Sequence, residues 1–224
     1  MLNAILNNNK FNYWTLLVIV PILGLGIYGE LYGEDLSWLS FLGAGLICLW
    51  LSFGTSTTQA FFRKMEGHYY VHITLAIVAG FLISFLFLYL GDWLGVSSGT
   101  DNPIIKDFEQ ADFIVSIVLL VVISISVAGE EVITASMTFL IYRLFGKKLT
   151  EKRAWYIAVL VGSVIFGLLH CSTYDGDLWQ CLFVIGIGRL PFTYAWRMTN
   201  SLWGGICAHI IYDLIILIPV IVMY

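Results

Sequence analysis

The chain has 224 residues, of which 59% are apolar and only 12% charged, with a formal net charge of −4 and a mean hydropathy of +0.88. A soluble domain carries roughly 25% charged residues, so the composition excludes a water-soluble globular protein, and the acidic balance excludes a generally basic nucleic-acid binder. Apolar residues recur in blocks of about twenty, the length that crosses a hydrocarbon core, without barrel-like alternation; the expected fold class is all-α, a polytopic transmembrane helical bundle in contact with lipid.

Seven spans are predicted, over Trp14–Gly33, Leu36–Phe53, Val71–Leu90, Phe113–Tyr142, Trp155–His170, Leu178–Trp196 and Ser201–Tyr224. No A-x-A-like cleavage site follows the first block, which reads as a retained anchor. The fourth span is too long for one upright helix, so it tilts, projects beyond the membrane, or breaks near Gly129, Glu130 and Glu131. Loop charge alternates. Glu30, Glu34 and Asp35 lie around the end of span one, Arg63 and Lys64 follow span two, and Asp92, Asp101, Asp107, Glu109 and Asp112 follow span three. Arg143, Lys147, Lys148, Lys152 and Arg153 follow span four, Asp175 and Asp177 follow span five, and Arg197 follows span six. The positive-inside rule puts the basic loops and the N-terminus, with Lys10, in the cytoplasm of a bacterial-type plasma membrane.

No repeat or linker divides the chain, so residues 1–224 read as one integral membrane domain. Gly24, Gly26, Gly43, Gly45, Gly186 and Gly188 are placed to allow close helix contacts. Cys48, Cys171, Cys181 and Cys207 form no CxxC pair and read as small apolar fillers. His68 and His72, beside Tyr69 and Tyr70, read as interfacial residues.

The informative residues are the ones a bilayer penalises. Glu130, Glu131, His170, Arg189, His209 and Asp213 all fall on spans four to seven. An ionisable group at mid-membrane costs at least about 2.5–3.5 kcal/mol and therefore faces a partner or a cavity. His209 and Asp213 are four apart and share a helix face, as do Phe166 and His170. Glu130 and Glu131 are adjacent, about 100° apart around a helix, so one faces a reaction centre and the other a support.

A desolvated glutamate can act as a general base toward water, and a histidine can stabilise an oxyanion or protonate a leaving amine. Such a set suits hydrolysis of an acyl bond without a protein nucleophile. Two other readings of the same residues stand beside it: a buried network that only holds helices together, and a proton or ion pathway. Two histidines and a carboxylate from different helices can also hold a divalent metal such as zinc, with Glu130, His170 and His209 as ligands. The residues alone leave open whether the cofactor is such a metal or none.

The motifs resemble those of the CPBP family, the CAAX-protease and bacteriocin-processing (Abi) membrane proteins. The family's paired glutamate, F-x-x-x-H and H-x-x-x-N/D stand here as Glu130-Glu131, Phe166-Gly-Leu-Leu-His170 and His209-Ile-Ile-Tyr-Asp213, and Ser201-Leu-Trp resembles the usual entry to the last helix. The likeness covers about residues 113–215 and implies a catalytic core there.

It implies an intramembrane endopeptidase acting on a membrane-embedded or lipid-modified peptide or protein. In that reading Glu130 activates water, Glu131 supports it, His170 assists, and His209 with Asp213 stabilises the oxyanion. Phe166 and Arg189 are the expected substrate contacts. One departure stands out: the family's first motif carries Arg where this chain has Ala135, and an inward-pointing Arg189 would compensate. A non-catalytic immunity or sensor protein, or a proton-coupled transporter, is the alternative function.

Overall fold

The computed structural model describes Ile5, residues 13–33 and residues 37–223. The readings placed on Lys10, Glu34, Asp35, Leu36 and Tyr224 lie outside the described residues. Among the described residues the protein is helical, with no strand. The helices are α1 (Leu16–Tyr32), α2 (Ser40–Phe61), α3 (Tyr69–Leu94), α4 (Ile104–Gln110), α5 (Phe113–Phe145) and α6 (Glu151–Leu169). A π-helical segment, π1 (Gln180–Ile187), then leads to α7 (Leu190–Thr199) and α8 (Trp203–Met223).

Among the described residues, five segments are long and apolar enough to cross a membrane: α2 with its leading turn, α3, α5, α6 and α8. α1 is apolar but has 17 residues. The predicted sixth span is not one helix. Its polypeptide forms π1, turns at Gly188 and Arg189, and resumes as α7, with Pro191 in the first turn where its missing N–H costs nothing. The fourth span runs unbroken for 33 residues, about 50 Å, so of the three ways to accommodate its length a break at the glutamates is excluded, leaving tilt or projection beyond the membrane. Asp112 starts it by accepting the Val115 N–H at 2.9 Å. Hydropathy also passed over α4, which lies in the acidic loop and buries Phe108.

α2 and α5 pack closely enough for their backbones to approach. A Cβ on Gly45 would lie 2.8 Å from the Ile133 nitrogen, and one on Gly129 would lie 2.8 Å from the Leu42 nitrogen. Of the six glycines singled out, Gly26, Gly45, Gly186 and Gly188 meet neighbours in this way, whereas Gly24 and Gly43 face open space. Phe53, Val132, Ala135, Phe139, Trp155, Trp196 and Ile206 bring α2, α5, α6, α7 and α8 into one buried cluster. Leu75, Leu82, Phe85 and Tyr89 on α3, and Phe113, Ile114 and Val118 on α5, are exposed, as residues facing lipid would be.

The connecting loops dock on one another in two groups. On one end the α7–α8 corner docks on the α2–α3 loop. Leu202 N donates to Phe61 O at 2.8 Å, Ser201 Oγ to Arg63 O at 2.6 Å, and Arg63 Nε to Asn200 O at 3.1 Å. Asn200 adopts the left-handed conformation (φ 56°) that ends α7. At the other end the loop after α3 meets the loop after α6. Ser97 Oγ donates to Asp177, and Gln180 exchanges two bonds with the Thr100 backbone at 2.7 and 2.8 Å.

Candidate active site

The two adjacent glutamates diverge as helix geometry requires. Glu131 is fully buried and accepts three side-chain hydrogen bonds from two other helices. Arg189 Nη2 donates to Oε1 at 2.8 Å, His209 Nδ1 to the same oxygen at 3.0 Å, and Trp196 Nε1 to Oε2 at 2.8 Å. Glu130, with 18% of its side chain exposed, instead faces His170 Nε2 at 4.0 Å.

Each histidine is oriented through its other nitrogen. A carbonyl oxygen only accepts, so His170 Nδ1 carries the proton it donates to Phe166 O at 2.9 Å. That leaves Nε2 turned toward Glu130. His209 donates through Nδ1 to the Glu131 carboxylate, and its Nε2 faces Asp213 Oδ2 at 3.9 Å, one turn along α8. The Phe192 ring stacks on His209 at 4.7 Å and 22°, while Phe166 lies 4.6 Å from the His170 ring.

Arg189 does point inward. Its guanidinium sits 4.6 Å over the Phe166 ring and 5.3 Å from the Trp196 ring, and Nη1 donates to Thr193 Oγ1 at 3.2 Å. Phe166 and Arg189, expected to contact substrate, are each 2% exposed. In this conformation both back the polar centre rather than line its open side.

Glu130, Glu131, His170, His209 and Asp213 are thus brought together by α5, α6 and α8, with Arg189 added from the turn before α7. His68 and His72 are not part of the centre; His72 pairs with Tyr194 at 3.3 Å. Among the described residues no three His, Cys, Asp or Glu side chains gather as a metal-binding group. The trio Glu130, His170 and His209 does not form such a group either: His209 directs one nitrogen to Glu131 and the other to Asp213.

Sequence reasoning missed Trp196, Thr193 and Phe192. A signal was present. In RLPFTYAW, Arg189 and Thr193 are four apart, as are Phe192 and Trp196, so each pair shares a face of α7. The hydroxyl and indole N–H were passed over because neither carries a charge.

The fold and site define an integral membrane helical protein with a polar centre of carboxylates and imidazoles enclosed among its later helices. Residues 111–215 match a family model described as Rce1-like, type II CAAX prenyl endopeptidase. The match is to the CAAX-protease family that the motifs resemble, a family of peptide hydrolases. It begins just before α5, ends within α8, and includes every residue of the centre described above. It covers just under half of the chain; α1–α4 lie outside it. No curated protein and no solved structure matches the chain.

Proposed function

We propose that the protein cleaves a peptide bond in a membrane-associated or lipid-modified peptide or protein, with Glu130 as the base that activates water. The observation carrying this reading is the division of labour between the glutamates. Glu131 already accepts three hydrogen bonds and is sealed from solvent. Glu130 is the partly exposed carboxylate, with an imidazole nitrogen 4.0 Å away. That gap is short enough for one water to hydrogen-bond to both groups at about 2.8 Å if it sits to one side of the line between them.

The steps follow from these positions. Glu130 takes a proton from the water, and the resulting hydroxide attacks the scissile carbonyl carbon. His209 acts as an imidazolium: Nδ1–H stays on Glu131, the second proton on Nε2 is donated to the oxyanion, and Asp213 faces that side of the ring. Collapse of the tetrahedral intermediate breaks the C–N bond, and the proton held by Glu130 passes to the leaving amine with His170 assisting. Glu131 is the fixed acceptor to which Arg189, Trp196 and His209 are tied, and Arg189 acts through Glu131. Each step of this scheme is carried by side chains of the chain itself.

The membrane is a bacterial-type plasma membrane with the N-terminus in the cytoplasm. The meeting of the Arg63 and Arg197–Asn200 loops at one end of the bundle supports this orientation. Residues 1–224 act as one membrane domain around the 113–215 core.

The test is cleavage by purified protein in lipid nanodiscs of two reporter peptides that differ only in a farnesyl group on a cysteine near the C-terminus. Wild type should cut the farnesylated peptide faster, and Glu130→Gln should cut neither. Failure of wild type to cut either peptide, with binding to a membrane protein surviving Glu130→Gln, would favour the non-catalytic immunity or sensor role.

A further inference from the structure

Tyr174 is a polar side chain at the centre that belongs to none of the motifs. It lies in the loop after α6, one turn beyond His170: its N–H donates to His170 O at 3.2 Å, and the next residues, Asp175 and Gly176, turn back in the left-handed region at φ 51° and 77°. Its ring stacks with the His170 ring at 6.4 Å and 25°. Phenol, imidazole and the Phe166 ring thus form a column along one wall of the centre.

The direction of its hydroxyl proton follows from a neighbour. Asn102 Oδ1 accepts the Ile104 N–H at 3.1 Å at the start of α4, which orients the amide so that its NH2 faces Tyr174. Asn102 Nδ2 then donates to the Tyr174 oxygen at 3.3 Å. With that acceptor position engaged, the phenol is left to donate. Burial, with Asp213 and Glu130 as the charged groups acting on it, raises the phenol above its ordinary value and keeps the donor protonated. α4 packs against α8, the helix that bears His209 and Asp213, and anchors itself with buried Phe108. The wall is therefore built partly from residues before the matched 111–215 stretch.

We propose that Tyr174 is a further substrate-contacting residue: its O–H donates to the scissile carbonyl oxygen alongside His209, and Asn102 sets its direction. The inference rests on the endopeptidase reading above. It assigns the α3–α4 loop a part in catalysis, by way of one hydrogen bond.

The experiment measures kcat and KM for the farnesylated reporter in nanodiscs with wild type, Tyr174→Phe and Asn102→Ala, together with melting temperature. It also measures retention of the same peptide by Glu130→Gln, with and without Tyr174→Phe. Loss of one oxyanion donor costs about 100-fold or more in kcat. Tyr174→Phe should show a fall of that order, with KM nearly unchanged and melting unaltered. Asn102→Ala should lower kcat in the same direction by less. A Tyr174→Phe variant with wild-type kcat, or with only KM raised, overturns the proposal. If wild type neither cuts the peptide nor retains it in the Glu130→Gln background, the endopeptidase reading falls and takes this inference with it. Retention with cleavage that ignores Tyr174→Phe removes this inference alone.

Discussion

Arg189 and Glu131 form a buried ion pair, Nη2 to Oε1 at 2.8 Å, joining the start of α7 to the middle of α5. Ala135, where the family pattern carries Arg, is fully buried in the apolar cluster, so the cation beside Glu131 arrives from a different helix. The break between π1 and α7 is what allows this. A continuous sixth span would not present Arg189 at the head of a new helix, with Thr193 and Trp196 one and two turns further on.

Removing the cation leaves a carboxylate sealed away with an incomplete set of donors. Breaking one partner of a buried pair costs about 3–5 kcal/mol. Arg189→Ala should therefore lower the unfolding midpoint in micelles strongly. Arg189→Lys should lower it less, because a charge is kept while the two-nitrogen contact with Glu131 and Thr193 is lost. Equal midpoints for wild type and Arg189→Ala would deny the pair a structural role.

Trp196→Phe separates packing from hydrogen bonding. The ring face toward Phe139 is largely preserved, but the indole N–H on Glu131 Oε2 disappears. An unsatisfied buried acceptor costs about 1–3 kcal/mol. Denaturant titration should show a loss in that range, and much of it should vanish in a Glu131→Gln background, where the acceptor is no longer charged. Additive losses in the double variant would contradict the contact.

Much of this was legible in the chain. Penalised residues in apolar blocks, at helical spacing, single out Glu130, Glu131, His170, His209 and Asp213 from the sequence alone, because each carries a charge or an imidazole that lipid would exclude. The adjacent-residue angle already required the glutamates to part. What hydropathy could not resolve was local backbone: Leu178–Trp196 is apolar enough to read as one span, yet Gly188 and Pro191 divide it. Nor could it find Asn102 and Tyr174, which come from loops that only the tertiary fold brings together.

Helix α5 is seated against α2 through Gly45 and Gly129, where the backbones leave no room for a side chain. Gly45→Val should cost about 1–3 kcal/mol by overpacking, and because Ile133 is two residues from Glu131 it should lower cleavage as well. Gly43→Val, at a position facing open space, is the matched control for both the melt and the assay. Equal effects of the two substitutions would show that close approach at Gly45 is unimportant.

His209 has Nδ1 on Glu131 and Nε2 toward Asp213, so in the proposed mechanism it links the buried support to the reaction. His209→Ala should lower kcat by about 100-fold or more, the range for a lost oxyanion donor. Asp213→Asn retains a polar group at the Nε2 side and should be the milder change. The check is steady-state cleavage of the farnesylated reporter, and a His209→Ala enzyme with wild-type kcat would remove this residue from the mechanism.

The central claim, that two neighbouring glutamates divide catalysis from support, is tested most directly by comparing Glu130→Gln with Glu131→Gln in one paired measurement of reporter cleavage and thermal unfolding. The geometry predicts a Glu130→Gln protein that melts close to wild type but does not cut, and a Glu131→Gln protein that is both impaired in cutting and clearly less stable. A Glu130→Gln protein that still cleaves, or a Glu131→Gln protein as stable and active as wild type, would contradict it.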